Sequence, residues 1–329
     1  MSRLTALAAT AALLVVAACG GSSDAGSSDT AWTFTDDLGT EFSLDAAPER
    51  IIAHKDVAAA LGDMGLGDLV VGVFGAPDNP VPELGLQSSE LDLSTVEDVT
   101  GGGEYGDIDL EKVAELQPDL VITSTFGDGA LWYINDEVKE RLSGSYDIAV
   151  LNYEGESVDS VLESSERLAT ALGAEETDFE AGREALEAAE ARVAEVAADA
   201  GDPSIVVVAP GPDLLYVANA PAYIDLSYLR DDIGLDLVTP AEGDLDDGDY
   251  WHSLSWENAD FYADADVAMW DTRGGTTNLD RLGDQPIWQR VAAAEDDAYI
   301  PWRNETAPSA QGYATMLDLF ADELREVTS

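Results

Sequence analysis

Eight aromatic or basic side chains follow short apolar runs of the kind that form strands, Lys55, Trp132, Tyr133, Tyr216, Tyr223, Arg273, Trp302 and Arg303, and two more, Tyr250 and Trp251, precede LSWEN. In α/β proteins, ligands bind on the loops beyond the carboxyl ends of strands. Indole and phenol rings offer flat apolar area with one polar edge. A guanidinium offers a fork of donors to oxygens and can stack on rings. The chemistry these residues suit is noncovalent capture, with Arg273, Trp251, Trp302 and Trp132 foremost. Bases are scarce here. Only Lys55, Arg273 and Arg303 of the 15 Lys and Arg lie on these loops, so each reads as a ligand contact and favours an anionic or oxygen-rich ligand. The competing reading of each is a local salt bridge, worth little on an exposed surface.

Bond-making chemistry finds little support. The chain has one Cys, Cys19, and two His, His54 and His252. That excludes an intrachain disulfide and a cysteine metal cluster, and it argues against a histidine-rich metal site. No G-x-x-x-x-G-K-[ST], H-E-x-x-H or G-x-S-x-G occurs. Gly101-x-Gly103-x-x-Gly106 fits G-x-G-x-x-G, but acids flank it and no base stands ready for a pyrophosphate, so it reads as a loop. Asn304-Glu305-Thr306 fits a glycosylation sequon of no weight in a bacterial setting. No catalytic residue, resident metal or cofactor is expected. A surface-anchored α/β hydrolase is the alternative from another class, though two His make it thin. An adhesion lipoprotein with an unused cleft is a third.

The charge narrows the partners. Against 67 acidic residues stand 15 basic ones, a formal net charge of −52. Such a surface repels nucleic acid and anionic lipid and stays hydrated where salt screens it. Adaptation to high salt or an alkaline medium is the expectation.

The elements that must position the candidate residues follow in order. Residues 1–18 read as a signal peptide: Arg3, then an apolar run from Leu4 to Ala18 too short for a comfortable permanent span. Val16-Ala17-Ala18-Cys19 resembles a bacterial lipobox, which implies lipidation of Cys19. Residues 19–31 then form a flexible Gly/Ser tether. Residues 32–173 read as an α/β lobe that starts with a hairpin over WTFTDDLGTEFSL. Strands at Ile51-Ile52-Ala53, LVVGVFG, DLVIT and IAVL alternate with helices at Asp56–Met64, Ile108–Leu116, Val138–Leu142 and Val158–Leu172. Residues 174–200 form one long helix. Phe179, Leu186 and Val193 recur every seven residues, with Ala189 and Val196 on the same face. Thr177 or Asp178 caps it, Gly201-Asp202-Pro203 stops it, and at 1.5 Å per residue it runs about 39 Å. The βα pattern restarts over residues 201–329. Strands are expected at Ser204–Ala209, Val267–Trp270 and Ala298–Ile300, and helices at Ile224–Ile233, Trp256–Tyr262, Ile287–Ala293 and Ala310–Val327. The fold class is two α/β lobes with mostly parallel sheets, joined by a rigid helix, with a cleft between them.

Six segments in order carry a resemblance over residues 32–329: PERII, GDMGLGDLVVGV, DLEKVAELQPDLVI, LSWENA, ADVAMW and QPIWQRVAAAEDDAYI. The chain resembles the extracytoplasmic substrate-binding proteins of ABC importers for iron–siderophores, haem and cobalamin. The resemblance implies the same two-lobed fold, reached above from periodicity. It implies reversible capture of a ferric siderophore, with cobalamin or haem as the runner-up, by a monomer held to the membrane only by its lipid. It also implies delivery to a permease dimer, docked through one acid per lobe: Glu111 in DLEK and Glu257 in SWEN. Acids also favour helix N-termini through the dipole, which is the competing reading of both.

Overall fold

A computed structural model describes residues 31–75, 91–103, 105–125, 129–153, 155–246 and 248–329. The expected signal peptide, Cys19 and nearly all of the tether lie outside the described residues. The N-terminal hairpin pairs β1 (Trp32–Thr35) with β2 (Glu41–Leu44). Alternation turns Trp32, Phe34 and Phe42 inward onto one core.

The first lobe is built on five parallel strands in the order β5-β4-β3-β6-β7: β3 (Ile51–His54), β4 (Val70–Phe74), β5 (Glu97–Asp98), β6 (Leu120–Thr125) and β7 (Ile148–Asn152). Helices cover both faces: α1 (Lys55–Asp63), α2 (Leu110–Leu116), α3 (Asp136–Ser143) and α4 (Val158–Leu172). Two-sided burial explains why these strands read as continuous apolar runs. Ile51, Ala53, Leu120 and Ile122 face one core, while Ile52, Val121 and Val150 face the other.

The second lobe has a mixed sheet in the order β10-β9-β8-β11-β12. Its strands are β8 (Ile205–Pro210), β9 (Leu214–Ala218), β10 (Trp251–Ser255), β11 (Val267–Asp271) and β12 (Tyr299–Trp302). β8, β11 and β12 are parallel, and β9 is antiparallel to both its neighbours. β10 therefore runs in the direction of β8. Tyr216 and Trp251, expected on loops, both lie in strands. The β8–β9 hairpin is tight enough for Gly211 N–H to donate to Leu214 O (2.8 Å), so it leaves no long turn signal in the sequence. Helices α6 (Ile224–Asp231), α7 (Thr276–Gly283), α8 (Ala292–Glu295) and α9 (Ala310–Val327) complete the lobe. Two expected helices shrink. Trp256–Asn258 is a single 3₁₀ turn, and the Ile287–Ala293 stretch is a 3₁₀ turn at Trp288–Arg290 followed by α8.

The long helix, α5 (Thr177–Asp199), has the expected buried stripe. It serves two cores in succession. Phe179 packs with Ala60, Met64 and Ala169 of the first lobe, and Leu186, Ala189, Val193 and Val196 join the core of the second. Neither expected cap holds the helix start; instead Asp178 accepts from Glu175 N–H (2.7 Å). The stop is as expected. Gly201 N–H donates to Ala198 O and Asp202 N–H to Ala197 O, both residues at positive φ, which closes a Schellman motif. At 1.5 Å per residue these 23 residues span about 35 Å.

α5 lies along α9, and at Gly182 the two helices approach closely. A Cβ there would sit 3.1 Å from Gln311 N. Gly182→Leu should lower stability by about 1–3 kcal/mol through overpacking. A urea titration checks this, and an unshifted midpoint at unchanged slope would mean the two helices part freely at this point.

Candidate functional site

The carboxyl ends of β3, β4 and β6 face those of β8, β11 and β12, and the lobes meet along α1. At its first residue, Lys55 Nζ lies 2.5 Å from Glu305 Oε2, on the loop after β12. At its last, Asp63 Oδ2 accepts from Ser309 Oγ, the N-cap of α9 (2.5 Å). Ile224 on α6 packs against both lobes' cores.

On the first lobe an aromatic wall follows β6. The loop is pinned to its strand: Trp132 N–H donates to Ser124 O (2.8 Å), and Thr123 Oγ1 donates to Trp132 O (2.8 Å). Tyr133 sits at φ 58°, a left-handed conformation unusual for an aromatic residue. Its ring lies 4.6 Å from that of Tyr105 and 5.9 Å from that of His54, and Tyr105 lies 6.0 Å from Trp132. Tyr105, 57% exposed, belongs to the Gly101–Gly106 loop. That loop is folded around Asp107, which accepts from Gly103 N–H (3.0 Å) and, through its carbonyl, from Gly101 N–H (2.8 Å).

On the second lobe the rings form one cluster. Tyr223 lies 5.1 Å from Trp302, 5.3 Å from Trp251 and 5.6 Å from Tyr250, and Tyr216 lies 6.0 Å from Trp251. Tyr250 is 45% exposed and can meet a ligand; Trp302 is 1% exposed and forms the floor. Trp302 Nε1 donates to Asp225 Oδ2 (2.6 Å). Burial, only partly offset by that bond, pushes the Asp225 carboxyl above its usual range. The Arg273 guanidinium stands 6.0 Å from the Trp302 ring.

All three loop bases are paired. Lys55 meets Glu305, Arg273 Nη2 lies 2.5 Å from Asp271 Oδ2, and Arg303 forks onto Glu323 of α9 at 2.7 and 2.9 Å. Arg303 thus faces α9 with its fork, and Arg273, with 45% of its side chain exposed, keeps a face toward solvent. The expectation that loop bases favour an anion loses its footing, because acids of the chain itself already occupy them. Sequence reasoning missed Glu305, Asp271, Asp225 and Tyr105. The signal for Glu305 is its place two residues beyond Arg303 on the same post-strand loop, but an acid there is one among 67.

His54 and Asp56 flank Lys55 in the interior. Burial, with Lys55 adding to it, pushes the His54 imidazole down to about 3, so it is neutral near pH 7. Both its nitrogens lack a hydrogen-bond partner, and Asp56 Oδ2 stands 3.6 Å away. Burial and then Glu305 push the Asp56 carboxyl up to about 7, against the pull of Lys55. Burial would lower Lys55, but Asp56 and Glu305 outweigh it and its pKa ends raised. His252 Nδ1 meets the Tyr262 hydroxyl at 2.9 Å. No group of three or more His, Cys, Asp or Glu among the described residues could hold a metal. No helix among them is long and apolar enough to cross a membrane.

Glu111 and Glu257 are both exposed. Glu111 is in the first turn of α2, whose start lies at the carboxyl edge of the first sheet. Glu257 follows β10 in the 3₁₀ turn, at the same edge of the second sheet as the end of β8.

Residues 59–306 match the family described as periplasmic binding protein. No curated protein sequence matches the chain. Among solved structures, the chain is similar to DesE, a ferric-siderophore receptor protein from Streptomyces coelicolor. Identity is 29% over 89% of this chain and 98% of that one, with a TM-score of 0.77. It shares the fold of the siderophore periplasmic binding protein from the fuscachelin gene cluster of Thermobifida fusca, at 22% identity over 86% and 97% of the chains and a TM-score of 0.58. The haem-binding protein RhuT from Roseiflexus sp. RS-1 also has this fold, at 18% identity over 85% and 99% and a TM-score of 0.61.

Asp56 makes a pH prediction. Its carboxyl is raised above 3.8, so the group supports the fold fully below about pH 4 and withdraws that support as pH rises through 7. His54 works the other way: its support is present above 6.5 and fades as pH falls toward 3. Asp56→Asn should therefore gain on the native protein by about 2–4 kcal/mol between pH 4 and pH 8. Paired urea titrations at the two pH values measure this, and a constant difference would show that Asp56 ionises freely.

Proposed function

We propose that this chain, which belongs to the periplasmic binding protein family, is the capturing component of an ABC importer and that its cargo is a ferric siderophore. The observation that carries the reading is a ring cluster on each lobe, Tyr105–Trp132–Tyr133 on the first and Tyr223–Tyr250–Trp251 on the second. A chelated ferric ion presents flat, partly apolar arms edged with oxygens. Rings supply contact area and phenol or indole donors for such a body. The similarity to a ferric-siderophore receptor protein over most of both chains favours this cargo. Haem is the second reading, because flat aromatic walls also suit a porphyrin and a haem-binding protein has this fold; cobalamin stands with it.

On this reading the chain divides into a signal peptide (1–18), a tether (19–31), two lobes (32–173 and 201–329) and the helix between them (174–200). Lipid on Cys19 holds a monomer at the outer face of the cytoplasmic membrane, and the net charge of −52 suits a saline or alkaline medium. Binding makes and breaks no covalent bond. Glu111 and Glu257, one per lobe, dock onto a permease dimer.

Tryptophan fluorescence titrated in high salt with ferric siderophores, haem and cobalamin identifies the cargo. Saturable quenching by a ferric siderophore is expected, and quenching by haem or cobalamin alone would overturn that choice. Arg273→Ala should weaken the best ligand by about 1.5–3 kcal/mol, the value of a charge-assisted hydrogen bond; equal affinity would remove Arg273 from the site. The double variant Glu111→Ala/Glu257→Ala should bind as before yet fail in uptake, and normal uptake would refute the docking role.

A further inference from the structure

Positive charge at the cleft comes from Lys55 and Arg273. Each is met at 2.5 Å by an acid of the chain, Glu305 and Asp271 respectively. Arg303 is forked onto Glu323. Arg281, on α7, has no carboxylate in bridging range among the described residues. Its Nη1 donates to Pro210 O at the end of β8 (3.2 Å) and to Asn278 Oδ1 (3.0 Å). Two more carboxyls, Asp56 and Asp225, are buried beside the pairs. Apart from the solvent-facing side of Arg273, whose charge Asp271 balances, what is left to meet a ligand is a set of neutral phenols and indoles whose ring faces attract cations.

We infer that the cleft selects ferric complexes without net negative charge, an inference that rests on the siderophore reading above. Such complexes are neutral or carry a cationic arm that lies against the aromatic walls. Three singly charged hydroxamates neutralise a ferric ion, whereas three doubly charged catecholates leave three negative charges on the complex. To offer the second kind an uncompensated cation, Arg273 would have to leave Asp271, or Lys55 leave Glu305. The first move strands the buried Asp271 carboxylate and the second the half-buried Glu305 carboxylate, the costly way to break an ion pair. The surrounding charge of −52 opposes the same ligand at longer range.

Three probes separate these effects: a ferric tris-hydroxamate, the same complex with an ammonium arm, and a ferric tris-catecholate. Each is titrated by tryptophan fluorescence at low and at high salt. Both hydroxamates should bind at least about tenfold more tightly than the catecholate. The gap should persist at high salt, which screens the distant charge but not the close pairs. Catecholate binding equal to hydroxamate binding at high salt would overturn the inference. Binding of haem or cobalamin but none of the three would instead overturn the siderophore reading itself. Asp271→Asn, which releases Arg273, should narrow the hydroxamate-to-catecholate ratio by about tenfold. Glu305→Gln is the second variant, with folding checked by circular dichroism. An unchanged ratio in both would show that the pairs do not set the selectivity.

Discussion

The ion pair between Lys55 and Glu305 is the constraint from which the rest of the site follows. An ammonium at the start of α1, its side chain 11% exposed, cannot stay charged without a partner. Its partner lies on the other lobe, 250 residues away in sequence. The pair fixes where the two carboxyl edges meet, and Ser309 on Asp63 repeats the contact one helix length away. Between these two points α1 is the seam. The walls on either side are then set by strand ends: Trp132 and Tyr133 by their bonds to β6, and Tyr223 by its packing on Trp302 and Trp251. Discharge of the seam would leave a buried carboxylate or a buried ammonium, so the lobes meet there in one arrangement.

The parallel strands are legible in the sequence, because burial on both faces forces apolar runs such as DLVIT and VAMW. So is the stripe on α5, because Phe179, Leu186 and Val193 at heptad spacing fall on one side of a helix and on alternating sides of a strand. β9 and β10 are not. Tyr216 and Trp251 are large ring residues near turns, and nothing local separates a strand bearing them from a binding loop. The 3₁₀ turns at Trp256 and Trp288 look like α-helix in the sequence because periodicity over so few residues cannot tell one from the other.

The candidate site is legible by residue type but not by partner. Trp132 and Tyr133 gather in one ring cluster, and Tyr223, Tyr250, Trp251 and Arg273 in another. Trp302 comes there too, but as a buried floor, while the fork of Arg303 goes to α9. What sequence cannot supply is which acid each base will meet. With 67 acids in the chain, spacing has no power to choose among them. Glu305 and Glu323 become partners only through tertiary folding, and that pairing reverses the expected sign of the ligand's charge.

The first turn of α5 is rooted in one half by Phe179, and from Leu186 onward the helix is welded to the other. Any swing between the halves is thus taken up in about one turn of helix, between Phe179 and Gly182, where α9 already packs on it. A pivot so short allows little bending, yet a rotation of about 5° there, carried along a lever of about 35 Å, shifts the far rim by about 3 Å. Such a joint trades wide opening for fine adjustment: the mouth can tighten on a guest without the halves ever parting.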